Sequence, residues 1–319
     1  MVVVGWFHHR LLDTGHFRRR SSCSALSRAA FPGGGDCSDS RFTVNAPRDL
    51  HALRQIAAQR RGPRTYEHLL TRIGEHLDAY DGFVSWSGGK DSTCVVDLAR
   101  QVDPHVPVVC FDSGLFFPET YEYLEDLAER WDLNFHIVPA EPDLLTLLIA
   151  TGGFDHGAPD RRLPRDLAHY MITEPARIAH ERFGPGSLWG VRAAESRDRQ
   201  LLYRAQLGAE TRAHQQLSRQ EVRARHGGVI RRADGTITYG PIWDWQRNHV
   251  FDYLAGRGIE PNPLYRKFAK LGAPEHLIRV DSMIDASKLA NGHIALLAAG
   301  WPNEFDRLAT ALPRLRDFT

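Results

Sequence analysis

One stretch constrains this chain more than any other: Gly82-Phe83-Val84-Ser85-Trp86-Ser87-Gly88-Gly89-Lys90-Asp91-Ser92, followed by Thr93-Cys94-Val95-Val96-Asp97-Leu98-Ala99-Arg100. An apolar run, two adjacent glycines, and then Cys94, Val95, Leu98 and Val102 at helical spacing predict a buried strand, a tight turn and an amphipathic helix. A turn of this kind binds anions. Gly88 and Gly89 let the backbone approach a bound group, Ser87 and Ser92 add hydroxyl donors, and the new helix aims its open N–H groups and positive dipole end at the ligand. Lys90 adds a full positive charge. The spacing departs from the ATPase phosphate-loop pattern, which needs four residues between its first glycine and its Gly-Lys pair.

The surrounding chain reads as alternating strands and helices. Val106–Phe111 and Asn134–Val138 are short apolar runs fit for parallel strands, and Ser187–Val191 is a fourth. Between them Pro118 and Glu119 suit a helix start, with Tyr121, Leu124, Ala128 and Trp131 on one face. The spacing predicts an α/β fold with a doubly wound parallel sheet, in which ligands sit beyond the carboxyl ends of the strands. Ser87 and Asp112 both fall at such ends. Val229–Arg232 and Thr236–Tyr239 flank Ala233-Asp234-Gly235 and read as a hairpin.

The expected organisation has four parts. Residues 1–42, with Arg10, Arg18, Arg19, Arg20 and Arg28, many serines and Pro32-Gly33-Gly34-Gly35, read as a disordered tail without an assigned function. Residues 43–80 form a helical lead-in of two helices separated by Gly62-Pro63. Residues 81–245 form the nucleotide domain, and residues 246–319 a C-terminal helical segment. Thr151–Pro164 is a loop long enough to cover a site, and Asp166 is placed to cap the helix that runs to about Phe183.

The motifs resemble a known family. Ser87–Ser92 looks like the pyrophosphate loop of the adenine nucleotide alpha-hydrolase superfamily, whose members cleave ATP between its alpha and beta phosphates. Asp112-Ser113-Gly114 with Phe117-Pro118-Glu119-Thr120 is similar to the Asp-Thr-Gly and Phe-Pro-Glu-Thr segments of the phosphoadenosine phosphosulfate reductase family. Gly190-Val191-Arg192, with Glu195-Ser196 and Arg199, resembles that family's Gly-x-Arg turn. Pro241–Trp245 with His249-Val250-Phe251 resembles its Pro-Leu-x-x-Trp segment and the helix after it, and Asn262-Pro263-Leu264-Tyr265 is identical to its usual tetrapeptide. Together these cover residues 82–265.

The resemblance implies two chemistries. Reductases of this type carry a nucleophilic cysteine in a C-terminal Glu-Cys-Gly segment, and many lack the loop lysine. In this sequence no cysteine follows Cys110, and Lys90 is present. The expectation is therefore an enzyme that binds ATP and cleaves it between the alpha and beta phosphates, by adenylyl transfer to an unidentified acceptor or as a pyrophosphatase in sulfur metabolism. The alternatives are a phosphoadenylyl- or adenylyl-sulfate reductase, and a nucleotide-binding subunit that works with a protein partner in nucleic-acid modification or regulation.

Roles follow from that chemistry. Ser87, Gly88, Gly89, Lys90, Asp91, Ser92, Asp112, Ser113, Gly114 and Gly190 are the expected nucleotide-binding residues. Lys90, Asp91, Arg192 and Arg199 are the expected catalytic set, because displacement at phosphorus is carried by positioning and charge neutralisation and a guanidinium fork matches a tetrahedral oxyanion. Mg²⁺ is expected to bridge phosphate oxygens beside Asp91 or Asp112; Asp112 could instead bind ribose.

Composition bounds the rest. A net charge of +1 gives no global argument for nucleic acid or an anionic membrane. No apolar run approaches the ~18 residues of a membrane span, so a soluble chain is expected, and the four cysteines without a disulfide pattern make a reducing cytoplasm its expected home. Cys23, Cys37, Cys94 and Cys110 show no paired spacing, so no iron–sulfur cluster is expected, and the sixteen histidines show no metal-ligand spacing, which argues against zinc. Arg192–Arg232 holds ten arginines against four acids and reads as a solvated helical face plus a phosphate pocket. Support for a nucleic-acid surface there is thin, with only Tyr203 and Tyr239 as stacking candidates.

Overall fold

The computed structural model describes residues 46–61, 65–151, 167–274, 277–284 and 292–319. The expected tail, the loop beyond Thr151 and the Asp166 cap lie outside the described residues.

The strands are β1 (Gly82–Ser85), β2 (Val108–Asp112), β3 (Phe135–Pro139), β4 (Gly186–Trp189), β5 (Val229–Arg231) and β6 (Ile237–Tyr239). They form one sheet in the order β3-β2-β1-β4-β6-β5, parallel throughout except for β5, which runs antiparallel to β6. The hairpin between β5 and β6 turns at Gly235, φ +88°, where Asp234 Oδ1 accepts the Thr236 N–H at 2.9 Å. From β1 the chain builds outward through β2 to β3, then returns to the other side of β1 as β4. The topological switch therefore lies between β1 and β4, the crevice where open α/β sheets bind ligands.

The helices are α1 (Ala46–Arg61), α2 (Glu67–Ala79), α3 (Lys90–Val102), α4 (Pro118–Arg130), α5 (Leu144–Ala150), α6 (Glu174–Phe183), α7 (Arg197–Ala213), α8 (Arg219–His226), α9 (Arg247–Gly256), α10 (Leu264–Lys270), α11 (His293–Gly300) and α12 (Pro302–Ala311). Pro118 opens α4 as expected, and Asp143 caps α5 by accepting the Thr146 N–H at 2.7 Å. A π-turn over His169–Thr173 precedes α6. Helix α3 is the most enclosed: Asp91 to Ala99 are all buried, so it is walled in on every side.

Two large hydrophobic cores and two smaller clusters result. One large core joins the sheet and α3 to α9, with Trp86, Cys94 and Val95 packed among Val250, Tyr253 and Leu254. The other gathers Leu115, Phe117 and Leu144 with Leu264, Phe268 and Leu308 of the C-terminal helices. Its members from 115–117 and from 264–268 flank the segments that meet the glycine turn.

Candidate nucleotide site

The strand-turn-helix forms as the sequence requires. Trp86 is fully buried and donates its indole N–H to Thr93 Oγ1 at 3.0 Å, tying the end of β1 to the first turn of α3. Gly88 sits at φ +70°, a conformation that favours glycine, and a Cβ there would lie 3.0 Å from Thr120 Cγ2. Gly89, the N-cap of α3, has no side chain to cap the helix, and among the first-turn donors the Lys90 N–H is taken by the Tyr265 hydroxyl. The first turn thus presents its remaining backbone donors with a positive dipole end behind them.

Gly190 shows why β4 must leave through a glycine. A Cβ there would lie 2.4 Å from the Ser92 backbone nitrogen, so the β4 exit is pressed against the start of α3 at the topological switch. Ser92 differs from its expected role. It is buried, its hydroxyl donates to the Gly89 carbonyl at 3.1 Å and accepts the Ser87 N–H at 3.3 Å, and it therefore braces the loop from inside. Ser87 Oγ lies 3.3 Å from Ser92 Oγ.

The charged residues form a chain. Lys90 Nζ meets Asp91 Oδ2 at 2.5 Å, and Arg192 Nε meets Asp91 Oδ1 at 2.5 Å. Arg192 Nη2 then reaches Glu195 Oε1 at 3.2 Å, and Arg199 Nη1 closes on Glu195 Oε2. Three cations alternate with two carboxylates, leaving one positive charge in excess. Arg192 is buried and occupied on both sides; it pins the β4 exit to α3. Arg199 is the half-exposed end of the chain, at 45% side-chain accessibility, and can exchange Glu195 for an incoming anion. Arg247, at the start of α9, belongs to the same field: burial first, and then the neighbouring Arg192 and Arg54, lower its pKa.

Both oxygens of Asp91 hold cations, so as placed Asp91 does not fit the expected role of Mg²⁺ ligand. Asp112 Oδ1 accepts the Gly114 N–H and the Tyr121 hydroxyl, each at 2.7 Å, and its Oδ2 has no hydrogen bond among the described residues. The Asp112-Ser113-Gly114 turn is held at both ends: Gly114 lies at φ +77°, and Ser113 Oγ accepts the Leu115 N–H at 3.3 Å. Cys94 and Cys110 are buried, and burial first, then nearby carboxylates (Asp91 and Asp97 for Cys94, Asp112 and Asp281 for Cys110), push both thiols well above the usual range. Neither is a ready thiolate nucleophile. Cys23 and Cys37 lie outside the described residues.

Several residues at the loop had no assigned role in the sequence reading. Buried Asn262 donates to the Gly88 carbonyl at 3.3 Å and to Thr120 Oγ1 at 3.1 Å, and the Thr120 hydroxyl donates in turn to the Val280 carbonyl at 2.5 Å. The Tyr265 hydroxyl accepts the Lys90 N–H at 3.2 Å. The Asn-Pro-Leu-Tyr and Phe-Pro-Glu-Thr segments were therefore visible signals whose task is to hold the glycine turn, while Val280 carried no signal. Trp189 Nε1, at the end of β4, is buried with no partner among the described residues. A cleft of about 630 Å³ lined by His51, Glu119, Glu122, Asp126, Arg130 and Arg266 touches none of residues 87–92.

A doubly wound sheet with an uncapped helix start, a Gly-Gly turn and basic side chains at its switch point defines an α/β protein of the adenine nucleotide alpha-hydrolase-like kind. The family model described as the phosphoadenosine phosphosulfate reductase domain matches residues 81–275, and the chain belongs to that family. The phosphoadenosine 5'-phosphosulfate reductase of Yersinia enterocolitica is 25% identical over 234 residues, 72% of this chain and 84% of the relative. That of Alteromonas mediterranea is 41% identical over 58 residues, 18% of this chain and 23% of the relative. Among solved structures, a phosphoadenylyl-sulfate reductase from Candida auris in complex with phosphate aligns with 16% identity and a TM-score of 0.41, over 66% of this chain and 94% of that one. No described helix is long and apolar enough to cross a membrane.

Proposed function

We propose that this chain is an enzyme that takes an adenine nucleotide by its phosphates at residues 87–92. The observation that carries this reading is the uncapped start of α3 at the β1/β4 switch, with Lys90 on it and Arg199 at its rim. Backbone N–H groups of Gly88 and Gly89 and the Ser87 hydroxyl face the phosphates. Lys90 and Arg199 leave their carboxylates to meet the ligand, and Arg192 keeps the β4 exit in place. Asp112, whose Oδ2 has no hydrogen bond among the described residues, or Asp91 once Lys90 has left its Oδ2, would hold Mg²⁺, which when bound neutralises phosphate charge.

Of the two finer readings, the comparisons favour a phosphoadenylyl or adenylyl sulfate over ATP, since the curated relatives reported are named as reductases of such a nucleotide. Cleavage of ATP between its alpha and beta phosphates is retained as the second reading on one observation. The described thiols, Cys94 and Cys110, are buried and hard to ionise, and no cysteine follows them. A reductase would then need an attacking thiol other than Cys94 and Cys110.

The experiment is product release from three nucleotides. Sulfite formed from a sulfonucleotide with a dithiol donor supports the first reading. Pyrophosphate formed from ATP supports the second. If no nucleotide is turned over or bound, the proposal fails.

A further inference from the structure

A second cluster lies apart from the loop, where α7 and α8 come together. Glu210 on α7, His214 at its C-cap and His226 in the last turn of α8 bring one ligand atom each to within 4.8 Å of one another. Glu210 Oε2 lies 3.5 Å from His214 Nε2 and 3.4 Å from His226 Nδ1. Two donors about 2.1 Å from a tetrahedral metal are separated by about 3.4 Å, so the two edges from Glu210 Oε2 already have the spacing of a coordination polyhedron.

The other contacts fit. Glu210 is buried, and its second oxygen, Oε1, lies 3.5 Å from Arg231 Nε, while Arg231 Nη1 donates to the Tyr80 hydroxyl at 3.2 Å. Arg231 thus orients the carboxylate by one oxygen and leaves the other toward the histidines, as an outer partner orients a ligand. The two imidazoles are stacked, 4.5 Å between centroids and 11° apart in plane.

We propose that Glu210, His214 and His226 form a divalent-metal site selective for zinc-like ions, with a fourth position left to water, and that the metal clamps α8 onto α7. Glu210 and His214 are one helical turn apart, but His226 comes from the next helix. No linear spacing marks the set, which is why the histidines look scattered in sequence.

The test titrates zinc sulfate into the tag-free, chelator-treated full chain, followed by calorimetry and thermal unfolding, with His226→Ala and the His214→Ala/His226→Ala double variant alongside. The expected result is about one zinc per chain, a raised unfolding midpoint, and affinity weakened more than about tenfold in both variants. Cobalt bound to the wild type should show the intense visible absorption of a tetrahedral site, a readout that needs no variant to fold. No saturable zinc binding by the wild type, equal binding by a folded double variant, or a weak octahedral cobalt spectrum would overturn the proposal.

Discussion

The two ends of α3 carry two buried carboxylates with opposite meanings. At its first turn Asp91 holds Lys90 and Arg192 beside an uncapped helix start. In its second half Asp97, fully buried, is closed off: it accepts from Arg100 at 2.6 Å, Arg257 Nε at 2.8 Å and the Tyr253 hydroxyl at 2.6 Å. Burial and ion pairing are alike at the two ends. What differs is the neighbourhood: open backbone donors and a half-exposed arginine at one, and only side chains of α3 and α9 at the other. A buried ion pair is thus weak evidence of function until the unpaired donors beside it are counted.

The sharpest way to break that comparison is to disrupt the ion pairs at each end in turn. Asp97→Ala should cost about 3–5 kcal/mol in urea unfolding, because it strands Arg257 and the Tyr253 hydroxyl, yet leave the nucleotide affinity of the folded fraction unchanged. A lost affinity would erase the distinction between the two ends. Arg192→Met should cost about 3 kcal/mol, since Asp91 keeps Lys90, and should also weaken nucleotide binding because the β4 exit loosens from α3. Stability without any change in binding would make Arg192 a purely structural pin.

A third test uses burial without a charged partner. Burial holds the His76 pKa down at about 4 from a usual 6.5. The unfolded chain therefore binds the proton first, so stability falls as pH drops from 6.5 toward 4, by at most about 3 kcal/mol, and then levels off. His76→Gln should flatten that part of the stability–pH curve, measured by urea titration at a series of pH values; an unchanged slope would show that other groups carry it. The smallest expected effect on stability is Arg199→Gln, under about 1 kcal/mol because its ion pair is half exposed. Nucleotide affinity should nevertheless fall, and equal affinity would remove Arg199 from the site.

Much of this was legible in the sequence. The strand, the Gly-Gly turn, the α3 periodicity and the four strand positions were readable because local patterns encode them. Gly190 was visible as a motif, but its reason, a backbone approach to Ser92, exists only in three dimensions. Ser92 and Asp91 show the limit most plainly. Residue type suggested a phosphate donor and a metal ligand; the contacts that place them, Ser92 within the loop and Asp91 between Lys90 and Arg192, exist only in three dimensions. Contacts made across long separations, such as Asn262 to Gly88 and His214 to His226, leave no periodic trace. The preference for ATP over a sulfonucleotide was drawn from two departures, the missing C-terminal cysteine and the presence of Lys90, while the relatives reported are named as sulfonucleotide reductases.

The most direct test of the phosphate loop is thermal unfolding with ATP, adenylyl sulfate and phosphoadenylyl sulfate, for the wild type and for Lys90→Ala, each shift taken against the same variant without nucleotide. At least one nucleotide should raise the wild-type midpoint, and the same nucleotide should raise that of Lys90→Ala clearly less. No shift with any of the three, or an equal shift in both proteins, would contradict the assignment of residues 87–92 as the site that holds the phosphates.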